Sequence, residues 1–377
     1  MRRLRLWLLT LLLVLAACTG GKKAEPFSFI VLDDIHFAQQ EDYLSDKDLD
    51  QRTRRTIEQS QATFIPFMKE LKERAEAEGP RTAAIFNCGD LVHGGAVNPD
   101  ALYRSFFREY NSVGMPVPFY NVNGNHEIAG AGMEEAYDRY LLPFLSSEAG
   151  KEIRNRYYSL DFGNSHFVII DGQPRDRKGG DHEKRVFDLV GEQWRWLEND
   201  LEANKNKEHI FLFSHPTIWP VNSGDVLYVY DPEKQSQFVN LLLKYKVRAF
   251  FAGHEHVNTV LVYDDLGNEL VQMIPNSEIR LDEPGEIREI RDYTIENVAG
   301  DEQSPWASDL RTLVGRSKDK IRYFRKQVGL AGYFLVTVDG GEVKVRMYRS
   351  PGSKLHDEYR ISRLKETGET RFTEEKP

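Results

Sequence analysis

The chain has only two cysteines in 377 residues, Cys18 and Cys88, which is too few for a disulfide framework. A chain of this length can bury a core without such staples. Basic charge is in deficit, with 50 Lys and Arg against 59 Asp and Glu, a net charge of −9. Residues 1–17 hold three of the arginines and no acid, so the rest of the chain carries −12. That sign argues against a general nucleic-acid binder, which shows a basic face. No apolar run reaches the ~20 residues of a membrane-spanning helix. There is no internal repeat and no low-complexity tract. A Gly-x-Ser-x-Gly nucleophile elbow is also missing. The zinc-protease pattern His-Glu-x-x-His fails twice, because Gly130 follows His126-Glu127 and Asn258 follows His254-Glu255 where the second histidine would stand. What remains, 40% hydrophobic and 29% charged, is the composition of a soluble globular protein.

The two ends read differently from the middle. Arg2, Arg3 and Arg5 precede a leucine-rich run over 6–15, the layout of a secretory signal. The run closes on Leu15-Ala16-Ala17-Cys18, which resembles the lipobox of bacterial lipoproteins. That resemblance implies cleavage before Cys18, acylation of its thiol and amine, export, and a lipid anchor in the bacterial cell envelope. Several acyl chains hold firmly, at ~0.8 kcal/mol per buried CH₂. The plain alternative is an ordinary signal with a chance cysteine. Residues 19–26 form a Gly- and Lys-rich tether that reaches at most ~25–30 Å, so the domain behind it sits close to the membrane. With Cys18 lipidated, Cys88 is the one free thiol, and its place at the end of an apolar run predicts burial. A single domain is expected over 27–352. Residues 353–377 are mostly charged and read as a solvated, partly disordered tail.

Between the ends, short apolar runs at 27–32, 83–86, 117–122, 166–170, 209–213 and 248–252 read as buried strands. Amphipathic stretches at 53–77, 99–112, 132–145, 192–204 and 232–244 read as helices. The alternation predicts an α/β architecture with much parallel sheet. Later strands, at 259–263, 270–274, 332–338 and 343–348, have no helices between them, and the last pair turns at Asp339-Gly340-Gly341. Residues 276–330 are charged and poorly patterned.

In open α/β sheets, functional groups collect just past the carboxyl ends of strands. The first run ends in Asp33-Asp34-Ile35-His36 and the second in Gly89-Asp90-Leu91-Val92-His93. The third gives Gly124-Asn125-His126-Glu127. The last two give Ser214-His215-Pro216 and Gly253-His254-Glu255-His256. Six of the ten histidines fall in these segments, which turns a set of individually commonplace fragments into a concentrated one. Asp, Asn and His together suit divalent Zn, Mn or Fe.

Taken in order, the blocks D-x-H, G-D, G-N-H-[DE], H and G-H-x-H resemble the signature of the calcineurin-like metallophosphoesterases, over about residues 27–352. The resemblance implies a two-sheet αββα sandwich flanked by helices and a phosphomonoester or phosphodiester hydrolase. It implies two divalent metal ions and a metal-bridging hydroxide as nucleophile. Asp34, His36, Asp90 and His256 would hold one metal; Asp90, Asn125, His215 and His254 would hold the other, with Asp90 bridging. His126 would act as general acid toward the leaving alkoxide. Purple acid phosphatases of this family carry G-D-x-x-Y, and here His93 stands in place of the tyrosine, so a coloured iron centre is not expected. His93 is open between a contact to the substrate phosphate and a hydrogen-bonded loop residue. Asp171, at the end of the run 166–170, resembles a supporting position of the family.

Other signals are weaker. The basic residues Arg175, Arg177, Lys178, Lys184 and Arg185 could reach a phosphate, or form a solvated loop balanced by Asp176, Asp181 and Glu183. Trp219 could wall the pocket or pack in the core. Trp194 and Trp196 read as core residues of a helix. The competing function is a membrane-anchored binding protein with a vestigial metal site, although all seven ligand positions are filled.

Overall fold

The computed structural model describes residues 24–43, 49–77, 79–173, 188–189, 191–222, 226–229, 231–277, 286–298, 307–364 and 367–375. Its first half alternates as expected. Strand β1 (Phe27–Leu32) leads through helix α1 (Gln51–Glu76) to β2 (Arg81–Asn87), and α2 (Pro99–Val113) leads to β3 (Phe119–Asn121). Two short helices follow, α3 (Met133–Ala136) and α4 (Leu142–Ala149), then β4 (Tyr158–Phe162) and β5 (Ser165–Ile169). Helix α5 (Gly191–Asn204), β6 (His209–Phe213), α6 (Pro232–Lys244) and β7 (Ala249–Phe251) complete this part. The second half is mostly strand: β8 (Asn258–Asp265), β9 (Asn268–Ile274), β10 (Arg288–Ile290), β11 (Ile321–Val328), β12 (Gly332–Asp339), β13 (Glu342–Arg349), β14 (Lys354–Arg363) and β15 (Thr370–Glu375). Helices α7 (Ile295–Val298) and α8 (Ala307–Ser317) lie between β10 and β11.

The helix starts follow from capping. Asp50 accepts the N–H of Thr53 at 2.9 Å, and Asn98 and Asp231 do the same for Ala101 and Lys234. Pro99 and Pro232 take the first helical position, where no backbone donor is lost. Gly114 ends α2 in the left-handed conformation.

Two sheets form. One has the order β15-β14-β13-β12-β1-β2-β3, the other β10-β11-β8-β9-β7-β6-β5-β4. Within them β1, β2 and β3 run parallel, as do β5, β6, β7 and β9. Alternate residues of the second sheet divide two cores. Phe167, Phe211, Phe213 and Phe251 face the first sheet, where the ring of Phe29 meets all four edge-on at 5.1–6.3 Å. Val168, Ile210, Leu212 and Phe250 face the other way, onto Leu197 and Leu201 of α5 and Phe238 and Leu242 of α6. Helices α1 and α2 supply Phe64 and Phe106, whose rings bracket Phe37. This is the expected two-sheet sandwich flanked by helices. Strands buried on both faces explain why the sequence shows apolar runs there and not alternation.

The expected tail at 353–377 is corrected. Residues 354–363 and 370–375 are strands β14 and β15, paired in register with β13 and with each other, so the sheet runs on past residue 352. Tyr359, Ile361 and Phe372 are buried. The segment looked solvated because its inward face also carries Asp357, which takes a hydrogen bond from the buried guanidinium of Arg325 at 2.6 Å. Residues 276–330 likewise contain regular elements, β10, α7, α8 and β11. Cys88 is buried, as expected. Trp219 is core, stacked on Tyr263 at 4.7 Å. Trp194 and Trp196 are half-buried against the outer core. Residues 1–18 with Cys18, and the basic segment 174–185, lie outside the described residues.

Candidate metal centre

Parallel strands end on the same side, so their following loops meet. The loop after β1 is tied to that after β2 by Asp34 N–H to Gly89 O (3.1 Å) and His36 N–H to Asp90 O (2.8 Å). In the other sheet Gly253 N–H donates to His215 O at 2.9 Å. Among the bonds that cross between sheets, His254 N–H donates to Asp34 Oδ2 at 2.8 Å. Five of the seven expected ligands occupy the left-handed backbone region, Asp34 (φ 46°), His36 (49°), Asp90 (51°), His254 (73°) and His256 (48°). Such conformations cost roughly 1–3 kcal/mol each and persist only where the surroundings dictate them. Here these loop bonds hold Asp34, His36, Asp90 and His254 in place.

The side chains form two clusters. Ligand atoms of Asp34, His36 and His256 lie within 4.8 Å of one another, and so do those of Asp90, His215 and His254. In the first, His36 Nε2 stands 3.2 Å from His256 Nε2 and 4.0 Å from Asp34 Oδ1. In the second, Asn125 Oδ1 is 2.9 Å from both His215 Nε2 and His254 Nδ1. Asp90 Oδ2 reaches both, 3.4 Å from His215 Nε2 and 3.8 Å from His36 Nε2.

The donor set fits divalent cations. His215 Nδ1 lies 2.8 Å from Cys88 O, a pure acceptor, so Nδ1 carries the hydrogen and the lone pair of Nε2 faces the cluster. That lone pair meets the oxygens of Asn125 and Asp90, a gathering of acceptors that a cation would satisfy. The charges say the same. Burial pushes Asp90 up, yet His215 and His126 hold it well below the usual carboxylate range. Burial lowers His215, yet Asp90 beside it raises its pKa above the ordinary value, so with no cation there a proton on Nε2 takes its place against Asp90. His36 is kept neutral by burial and by His126, as a ligand requires.

Support around the clusters is dense. The buried carboxylate of Glu127 accepts four backbone hydrogens, from Asp90 (2.9 Å) and Gly124 (2.6 Å) on one oxygen and Leu91 (2.6 Å) and Val92 (3.3 Å) on the other. Burial, with Asp90 adding to it, pushes its pKa up to about 7. Sequence reasoning registered Glu127 only as the last letter of its block. Asp171 accepts from Asn123 Nδ2 at 2.9 Å and so steadies the chain two residues before Asn125, the supporting role expected of it. A side chain at Gly124 would bring Cβ to 2.3 Å from Asp90 Oδ1, and one at Gly89 (φ 101°) to 2.5 Å from His215 Nδ1, which explains the glycine in both blocks.

His126 and His93 lie beside the clusters. Gly94 N–H donates to His126 Nδ1 at 3.0 Å, so the proton of that imidazole sits on Nε2, 3.9 Å from Asp90 Oδ2. Burial above all lowers its pKa to about 4. His93 stacks on His126 with ring centres 4.7 Å apart, and its ligand atom lies within 4.8 Å of those of His36 and His126. Its carbonyl accepts the hydroxyl of Tyr43, and burial lowers its imidazole to about 3.

Comparison with known proteins points the same way. The family model described as calcineurin-like phosphoesterase matches residues 27–258. Purple acid phosphatase 23 of Arabidopsis thaliana is 31% identical over 146 residues, which cover 37% of this chain and 28% of that protein. An acid phosphatase of Aspergillus ficuum is 28% identical over 141 residues, 28% of this chain and 22% of its own length. The chain thus matches under a third of the length of these curated relatives. Among solved structures, PhoD aligns with a TM-score of 0.57 at 12% identity, over 95% of this chain and 73% of that one. A purple acid phosphatase from yellow lupin (Lupinus luteus) seeds aligns at 0.55 and 13% identity, over 91% and 55%. At these identities the structural likeness is one of fold.

Proposed function

This chain belongs to the calcineurin-like phosphoesterase family, and on that premise we propose that it is a dinuclear metal-dependent hydrolase of phosphate esters. The observation that carries the reading is the pair of ligand clusters sharing Asp90. Asp34, His36, Asp90 and His256 would hold one divalent ion; Asp90, Asn125, His215 and His254 would hold the other, with Mn, Zn or Fe suited to these ligands. When bound, two such ions supply Lewis acidity, drawing in phosphoryl oxygens and lowering the pKa of a water.

The chain's own residues do the rest. His126 presents Nε2–H toward the cleft while Gly94 holds Nδ1 as an acceptor, so it donates a hydrogen bond to the ester oxygen that departs. This refines the general acid expected from sequence to a neutral imidazole, since a proton on Nδ1 would face the Gly94 N–H. His93 braces His126 by stacking. The protein itself is exported and held to the cell envelope by lipid on Cys18, a reading supported by the run 6–15 that closes on Leu15-Ala16-Ala17-Cys18.

The test is metal analysis by mass spectrometry with hydrolysis of nitrophenyl mono- and diesters under added Mn, Zn or Fe. Wild type should bind two metals and turn over. Asp90→Asn should lose both metals, and His36→Ala chiefly one. Two metals with normal turnover in Asp90→Asn would overturn the shared-ligand arrangement, and metal binding without turnover of any ester would favour a binding protein. Cys18→Ser should leave the chain unprocessed or soluble; a wild type that is already soluble, with Cys18 unmodified, refutes the anchor.

A further inference from the structure

The strands that carry the metal ligands all end at one pole of the sandwich, and the chain enters at the other. Strand β1 begins at Phe27, whose ring packs on Gly163 of the β4–β5 turn, and reaches the centre six residues, or about 20 Å, later. The entry pole is one connected surface. Asn164 and His209 both bond Gly340 O of the β12–β13 turn, Arg248 bonds Ser362 O, and Lys246 Nζ bonds Thr367 O in the β14–β15 turn. Strand β8 starts beside His256 and runs away from the centre, so its turn into β9 also lies at this pole, where the Arg371 guanidinium holds Gly267 O.

That turn is Leu266-Gly267, with φ 54° and 96°. Both central positions of such a hairpin turn favour Gly, Asn or Asp. A leucine here bears backbone strain, and it is 99% exposed, against 55% for Val97, 37% for Leu355 and 37% for Leu364. Leu364 begins the β14–β15 connection at the same pole. Neither folding nor solubility asks for an apolar side chain at a strained, bare hairpin tip. The charges nearby are mixed, with Lys207 on Asp161 and Lys205 on Glu202, and select no ionic partner.

The chain outside the described residues supplies the partner. Only residues 19–26 separate Cys18 from β1, a reach of at most ~25–30 Å from the entry pole. We propose that the pole opposite the metal centre docks on the bilayer with Leu266 seated in the lipid interface, so that the centre faces away from the membrane. The proposal rests on the lipid-anchor reading above. Its consequence is that the enzyme draws its phosphate ester from the aqueous phase and not from the bilayer beneath it.

The experiment uses the full lipidated chain in phosphatidylethanolamine–phosphatidylglycerol vesicles, with a nitroxide at Leu266→Cys or, as the opposite-pole control, at Val97→Cys. Labelling is selective, because Cys88 is buried and Cys18 carries lipid. Oxygen concentrates in the bilayer and a nickel chelate stays in water. The ratio of oxygen to nickel accessibility should be severalfold higher at 266 than at 97. Equal ratios in a membrane-bound chain overturn the docking alone. A soluble chain with unmodified Cys18 overturns the anchor and the docking with it.

Discussion

Glu127 accepts the backbone hydrogen of Asp90 at 2.9 Å, and Asp90 sits in the left-handed region at φ 51°. The bond holds Asp90, the residue proposed to serve both metal ions, in a conformation it would otherwise leave. Glu127→Ala strands four buried N–H groups, each costing about 1–3 kcal/mol when unpaired. A loss of about 4 kcal/mol of stability and a marked fall in bound metal are expected, read by thermal unfolding and metal analysis. Glu127→Gln keeps one acceptor oxygen and should fall between. Wild-type melting and full metal in Glu127→Ala would contradict the cradle.

Removing the His126 imidazole should leave metal content intact and reduce kcat by roughly 10²–10³-fold for esters with alkoxide leaving groups. Nitrophenolate leaves without help, so the loss should shrink for nitrophenyl esters. Gly94→Pro deletes the N–H that fixes the tautomer and should show a weaker version of the same leaving-group dependence. Equal losses for both leaving groups in His126→Ala would assign the residue a purely structural role.

Strands β14 and β15 belong to the fold, and truncation should show it. Tyr359→Ala and Ile361→Ala remove fully buried side chains and should each cost about 3 kcal/mol, measured by denaturant unfolding. Deleting 353–377 should destabilise more than either. A truncated protein that melts with the wild type would restore the solvated tail.

His166 lies between two carboxylates, Nδ1 2.7 Å from Asp161 and Nε2 2.7 Å from Asp200, with Lys207 also on Asp161 and Ser159 on Asp200. Both nitrogens donate, so the imidazole is charged. Burial lowers its pKa, but Asp200 and Asp161 outweigh burial and raise it above 6.5. A raised folded pKa means the contribution is complete below about pH 6.5 and is lost as pH climbs through the folded value. Stability should therefore decline across that rise, and His166→Gln should flatten the decline while costing about 2 kcal/mol at low pH. A His166→Gln profile parallel to wild type would dissociate the clamp from the pH dependence.

The inner strands and long helices were legible because their signals are local. Runs such as 210–213 are apolar throughout, and Asp231-Pro232 marks the start of α6 to the residue. The expected ligands were legible as an ordered set of blocks, and the fold brings those residues to one pole. What stayed hidden depends on partners distant in sequence. Asp357 looks like a solvated acid until Arg325, 32 residues away, is placed against it. Glu127 looks like a surface acid until four amides surround it. The Gly94 contact that sets the His126 tautomer, and the left-handed turns of five ligands, are properties of closed loops and leave no trace in composition.

Each expected cation takes ligands from both sheets. Asp34, His36 and Asp90 rise from the first and are completed by His256 of the second; Asp90 and Asn125 are completed by His215 and His254. No half of the sandwich owns a coordination sphere. A partly folded chain thus has little hold on metal, and loading must be the closing event of assembly, after residues 220 positions apart have met. Bound ions would then rivet the seam along which the sheets part, so chelation should loosen the whole sandwich and not merely silence one pole.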